Sequence, residues 1–418
     1  MKRNVELGAL NGGAEMLKRW QDANATCKNQ SWTDGNAKWG QGVRKAVIVL
    51  LIFFVAVVHA QRPVVAGYVF ARGQALKPGS VNALSMTRVN YAFANIRHGE
   101  MVEGSIYDAA NLAYLTGLRK ENPSLTVLVS VGGWLGSGEF SDVALTADSR
   151  GRFIASVVDF LRRYDLDGLD IDWEYPGIAG AGHRFRAEDK QDFTALLVGL
   201  RARFDGEEKK LHRHWALTIA AGANEEFLEH TEMGKVAVAL NAVNLMAYDY
   251  YEPGDSATTG HHSPLYMNPA DPKKVSAAQS VEAFLRAGVP AEKIVLGVPF
   301  YGHAWANVPA AGHGLYQPGT KSEHISISYP AIRADGLDGG FTRYWDDVAK
   351  APWLYNAEKK LFVSYEDPES LKIKCRYVLE HHLGGVMFWS YENDDSGELL
   401  RTINSVLRPG VVAPEMMR

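Results

Sequence analysis

Three acids at alternate positions are the first chemistry the chain offers. In the run Asp167-Gly168-Leu169-Asp170-Ile171-Asp172-Trp173-Glu174, an extended backbone sends successive side chains to opposite faces. Asp170, Asp172 and Glu174 then share one face, about 6.6 Å apart along the strand, and Leu169, Ile171 and Trp173 share the other. Carboxylates crowded together away from water raise one another's pKa and retain a proton. A carboxylic acid still protonated near neutral pH suits protonation of the leaving oxygen of a glycoside. Glu174, the last of the three, is the candidate donor. A structural ion-pair network or a surface strand is the alternative, and three same-face acids on an otherwise apolar strand weigh against it.

A retaining glycosidase usually sets a second carboxylate, the nucleophile, about 5–5.5 Å from the acid. Here the nearest acid, Asp172, is two residues away on the same strand. That placement suits orienting a group beside the acid better than attack from across a sugar ring. It fits the substrate-assisted exception to the two-carboxylate scheme.

Eight apolar, β-branched runs are separated by helix-period segments. The runs are Val64–Phe70, Arg88–Asn95, Thr126–Val131, Leu166–Asp172, Trp215–Ala221, Ala242–Tyr248, Ile294–Phe300 and Gly385–Trp389. Helical periodicity marks Gly151–Tyr164, Asp189–Phe204, Ser276–Ala287 and Pro368–His382. Strand–helix alternation eight times over predicts an α/β fold, a (β/α)8 TIM barrel, with the active site at the C-terminal ends of its strands. No Gly-x-Gly-x-x-Gly turn follows the first strand, which counts against dinucleotide binding. Strands seven and eight lie about 85 residues apart, far more than a crossover helix needs. The surplus, about 305–360, is expected to form a small α+β insertion walling the cleft.

The chain has 418 residues and a formal net charge of −4. It shows no basic stripe, so no nucleic-acid partner is expected. Ala46–Val58 is an unbroken run of 13 apolar residues behind Arg44 and Lys45, followed by Val58-His59-Ala60. Positive flank, short apolar core and small-x-Ala exit predict a secretory signal cut after Ala60. The run is shorter than the roughly 20 residues of a membrane span, so no stable anchor is expected. Residues 1–60 are thus read as leader and signal, and 61–418 as a secreted catalytic barrel, expected to act as a monomer. That mature portion carries 36 basic and 44 acidic residues and retains Cys375 alone, so no internal disulfide forms.

These residues resemble the family 18 chitinases. Asp167, Asp170, Asp172 and Glu174, with Tyr175-Pro176, match the Asp-x-x-Asp-x-Asp-x-Glu signature of that family. Ser130-Val131-Gly132-Gly133-Trp134 is similar to its third-strand motif, Met246-Ala247-Tyr248-Asp249 to its sixth-strand motif, and Met387-Phe388-Trp389 to its eighth-strand segment. The inserted segment resembles that of the deep-cleft subfamily.

The resemblance implies hydrolysis of chitin or N-acetylglucosamine oligosaccharides without metal or organic cofactor. Glu174 would protonate the glycosidic oxygen, and the acetamide of the bound sugar would attack its own anomeric carbon. Asp172 would hold the acetamide N–H, Tyr248 its oxygen, and Asp249 the distorted sugar, while Asp170 would share a proton with Asp172. Trp389 would floor the site. Trp134, Tyr68, Phe93 and Tyr301 are further candidate sugar platforms, Met246 a further lining residue, and Trp305 and Trp345 candidates for the insertion wall. A non-catalytic lectin on the same fold, or an endo-β-N-acetylglucosaminidase acting on N-glycan or cell-wall glycan, are the alternatives. Glu174 and Asp172 both favour the enzyme.

Three positions depart from the family pattern. His303 stands where many relatives carry Arg, the first strand lacks the usual following Trp, and Ser390 stands where relatives often carry Glu. His261 and His262 have no third ligand at suitable sequence spacing, so no metal is expected.

Overall fold

A computed structural model of the chain describes residues 62–410. The expected leader and signal segment lies outside the described residues. Eight parallel strands close on themselves: β1 (Val64–Phe70), β2 (Arg88–Arg97), β4 (Thr126–Gly132), β5 (Gly168–Asp172), β6 (Ala216–Gly222), β7 (Ala242–Met246), β8 (Ile294–Pro299) and β14 (Gly385–Trp389). Pairing of β1 with both β14 and β2 completes the barrel. A three-residue strand, β3 (Glu100–Val102), runs antiparallel to the end of β2. It is too short to carry a visible period in the sequence.

The outward strand residues Val129, Leu169, Ile171, Leu217, Leu245 and Leu296 are buried against the surrounding helices. The helix over Ala147–Arg163 shows why these segments are helical. Thr146 and Ser149 cap each other's backbone N–H groups at its start, and Phe153, Val157, Val158 and Leu161 turn to the core. The helix begun at Asp189 runs to Leu211, past the expected end, because Gly206 does not break it. Glu207 is buried just beyond that glycine and pairs with Arg162, Arg203 and Lys210.

Between β8 and β14 lies a second, five-stranded antiparallel sheet: β9 (Tyr301–Ala306), β10 (Thr320–Ser328), β11 (Thr342–Asp346), β12 (Ala351–Asn356) and β13 (Leu361–Ser364), in the order β10-β9-β13-β12-β11. One helix, Tyr329–Asp338, accompanies it. The insertion has its own small core of Tyr251, Trp305, Val308, Trp353, Tyr355 and Phe362. Among the described residues no helix is long and apolar enough to cross a membrane.

Candidate active site

The strand register sets Ser130, Asp170 and Thr218 side by side on β4, β5 and β6. The barrel interior at this level is polar, contrary to the apolar filling the fold usually has. Asp170 is fully buried. One carboxylate oxygen accepts from Tyr68 Oη at 2.8 Å and Ser130 Oγ at 2.8 Å. The other accepts from Asn244 Nδ2 at 2.9 Å and from the Thr218 hydroxyl. Asn244 is itself fixed by Arg88, whose guanidinium donates to Oδ1 at 2.6 Å. Four donors satisfy the buried carboxylate, as burial of such a group requires.

Asp170 accepts on both oxygens from its four neighbours, and the carboxyl of Asp172 interacts with that of Glu174. Burial, then Glu174 and Asp170, hold the Asp172 carboxyl well above the carboxylate range. Burial pushes Glu174 up to about 7, with the Asp249 charge adding to the rise and hydrogen bonds from Tyr175 and Asp172 opposing it. One oxygen of Asp172 is buried with no hydrogen-bond partner.

The backbone around Glu174 is fixed from two sides. Its N–H donates to Ser137 Oγ at 2.9 Å, and that hydroxyl lies 2.9 Å from Gly133 O and 3.1 Å from Asp172 O. The loop beyond it is tied to the buried Asp189, which accepts from the N–H groups of Gly177 and Arg186 at 3.2 and 2.8 Å. The glycines of the third-strand motif now have a physical reason. A Cβ on Gly132 would meet Asp172 O at 2.1 Å, and one on Gly133 would meet the Phe93 ring at 2.8 Å; both have positive φ.

Asp249 sits at the mouth of the barrel, with about a third of its side chain (36%) open to the cleft. Its two oxygens each accept from Tyr301 Oη at 2.7 Å, and Oδ1 lies 2.8 Å from His303 Nε2. Burial alone would raise this carboxyl, but the neighbouring imidazoles of His262 and His303 hold it well below the usual range. Burial keeps the Tyr248 hydroxyl well above its ordinary pKa, with Asp249 and Asp172 adding to the effect, so it remains a donor.

Glu174, Asp172, Tyr248, Asp249, Met246, Tyr301, Tyr68, Phe93, Trp134 and Trp389 all line one cleft of about 1170 Å³, room for several sugar rings. Within it the aromatics divide. Trp389 packs against Phe93 (ring centroids 5.6 Å apart), Phe70 (5.5 Å) and Tyr68 (5.7 Å), leaving one tryptophan braced by three rings. Phe93 and Tyr68 line the cleft and also pack against Trp389, and the Tyr68 hydroxyl donates to Asp170. Phe70 went unnoticed in the sequence because it closes the first strand like any apolar residue. Tyr301 is bound to Asp249. Trp134 stands half exposed on the rim.

Two expected wall residues do not reach the cleft. Trp305 is fully buried in the insertion core, its indole N–H donating to Ser256 O at 3.2 Å. Trp345 lies under the Arg343 guanidinium, 5.3 Å from its ring centroid, outside the residues that line the cleft. Both follow from a sheet whose side chains alternate between core and solvent.

Comparison with known proteins agrees with this geometry. The model for "Glycosyl hydrolases family 18" matches residues 64–394. Chitinase A1 of Niallia circulans is 39% identical over 334 residues, which is 76% of this chain and 48% of that protein, so the chain spans about half its length. A solved glycoside hydrolase family 18 N-acetylglucosaminidase from Paenibacillus barengoltzii is 41% identical, with a TM-score of 0.76 over 82% of this chain and 99% of its own. A class V chitinase from Nicotiana tobaccum, solved in complex with NAG4, is 27% identical, with a TM-score of 0.75 over 83% of this chain and 99% of its own. With a match that runs from the first barrel strand to beyond the last, the chain belongs to glycosyl hydrolases family 18.

Proposed function

We propose that this chain is a chitinase that hydrolyses β-1,4-linked N-acetylglucosamine chains with retention, by substrate-assisted catalysis. The observation that carries the reading is the pair Asp172–Glu174, two hydrogen-bonded carboxyls raised in pKa and facing one cleft. Glu174 gives its proton to the glycosidic oxygen as the bond to C1 breaks, and the leaving sugar departs as an alcohol. The carbonyl oxygen of the 2-acetamido group closes on C1 to form an oxazolinium ion. The unpartnered oxygen of Asp172 accepts from the acetamide N–H and steadies the positive charge. Tyr248 donates to the acetamide oxygen, and Asp249 accepts from a sugar hydroxyl. Glu174, now a carboxylate, takes a proton from water, which opens the ring on the face the leaving group left.

Secretion through the 46–58 segment, with removal of residues 1–60, is part of the proposal; N-terminal sequencing of exported protein should begin at Gln61. The mechanism is tested by proton NMR of the first product from N-acetylglucosamine oligomers. The β-anomer, together with tight inhibition by a thiazoline mimic of the oxazolinium ion, is expected. An α-anomer first product, or indifference to the thiazoline, would overturn it.

A second reading, release of single N-acetylglucosamine units, is favoured by the likeness to the Paenibacillus enzyme. Products from oligomers of four to six units separate the two: disaccharides mark the chitinase, monosaccharide alone the N-acetylglucosaminidase.

A further inference from the structure

The sequence offers no third ligand beside His261 and His262, but the fold supplies two beside His262. Asp249 follows β7, His262 lies in the loop beyond it, and His303 stands on β9 of the insertion. One ligand atom from each lies within 4.8 Å of the others. His303 Nε2 is 2.8 Å and His262 Nδ1 3.5 Å from Asp249 Oδ1. Ligand atoms about 2.0–2.2 Å from a tetrahedral ion stand roughly 3.3–3.6 Å apart; the His262 spacing meets this, and the His303 nitrogen needs to draw back from Asp249 by about half an ångström. His261 takes no part; its Nε2 is 3.1 Å from Asp346 Oδ2.

The second observation is His262 itself. The side chain is fully buried; Nδ1 stands 3.5 Å from Asp249 Oδ1, a loose pairing at best, and neither ring nitrogen has a well-formed hydrogen bond among the described residues. A buried imidazole facing a carboxylate with an unused lone pair is costly unless something completes it. Asp249 also opens to the cleft, which gives an ion an entry path and a fourth position for water.

The geometry points to a binding site for a late first-row divalent cation, of the Zn2+ or Cu2+ kind, formed by Asp249, His262 and His303. Two imidazoles and a carboxylate with one open position suit these ions and not Mg2+ or Ca2+. Coordination replaces the hydrogen bond from His303 Nε2, whose proton shifts to Nδ1 or leaves. Since Asp249 is also the residue assigned to the sugar, an ion there withdraws it from substrate and inhibits hydrolysis; that consequence, unlike the binding, rests on the proposed function.

The test is calorimetric titration of the untagged, full chain with Zn2+, without substrate. One saturable site is expected, weakened by about tenfold or more in His262→Asn and in His303→Arg, and unchanged in His98→Asn. Circular dichroism melting checks that the variants fold. Independently of any variant, the wild-type chain loaded with one equivalent of Cu2+ should show electron paramagnetic resonance splitting from two nitrogens. Absence of saturable Zn2+ binding, equal affinity in folded His262→Asn and His303→Arg, or splitting from other than two nitrogens would overturn the site. Because no turnover is measured, such a failure leaves the chitinase reading standing.

Discussion

The backbone N–H of Glu174 donates to Ser137 Oγ at 2.9 Å, so the candidate acid is held by a residue 37 positions earlier in the chain. Ser137 belongs to the loop after β4, and its hydroxyl also binds the backbone at Gly133 and Asp172. Ser137→Ala is expected to lower kcat by about 10-fold or more with little change in KM, because misplacement by a fraction of an ångström weakens proton transfer more than binding. Steady-state kinetics on a chromogenic oligosaccharide checks this. An unchanged kcat would mean that the clamp has no catalytic consequence.

The upper limb of the pH profile should fall as Glu174 loses its proton. Its pKa is raised to about 7, so kcat/KM should decline above that value, one proton at a time. Glu174→Gln would remove the limb along with the activity. Flat activity to pH 9 would contradict the assignment.

The same shift has a stability consequence with a definite sign. Glu174 binds its proton more tightly in the folded state, about 7 against an ordinary 4.5. Folded stability from this group is therefore full below pH 4.5 and is lost as pH rises toward 7. Glu174→Gln, which cannot ionise, should gain on the order of 1–3 kcal/mol relative to wild type between pH 5 and pH 8. Urea denaturation at both pH values measures it.

Removing one donor from the buried Asp170 should cost stability as well as activity. Thr218→Val keeps the shape and deletes one of four hydrogen bonds. Asn244 Nδ2 stays on the same oxygen, so the loss is that of one hydrogen bond to a charged group, about 1.5–3 kcal/mol, readable as a lowered midpoint in urea. Wild-type stability in this variant would mean that water replaces the lost donor.

What the sequence disclosed depends on the range of the pattern. All eight barrel strands could be read because each is a local apolar run, and the acid column because period-two alternation is local too. The polar barrel interior could not. Thr218 and Asn244 are single polar residues in two otherwise apolar strands, and only closure of the barrel brings them, with Tyr68 and Ser130, to Asp170. The triad Asp249, His262 and His303 was hidden for the same reason. Trp305 misled because aromatic content alone does not say which face of a strand meets the core. Phe70 and Ser137 carried no signal beyond their neighbours, since bracing a tryptophan and holding a backbone are contacts made across the barrel mouth.

In the proposed mechanism Glu174 holds the proton that cleaves the glycosidic bond, beside a sugar that supplies its own nucleophile. The most direct measurement pairs turnover and calorimetric binding of a chito-oligosaccharide by Glu174→Gln. Binding near the wild-type affinity with turnover lower by about 10³-fold or more is expected of a lost general acid. Turnover within a few-fold of wild type would rule out Glu174 as the proton donor.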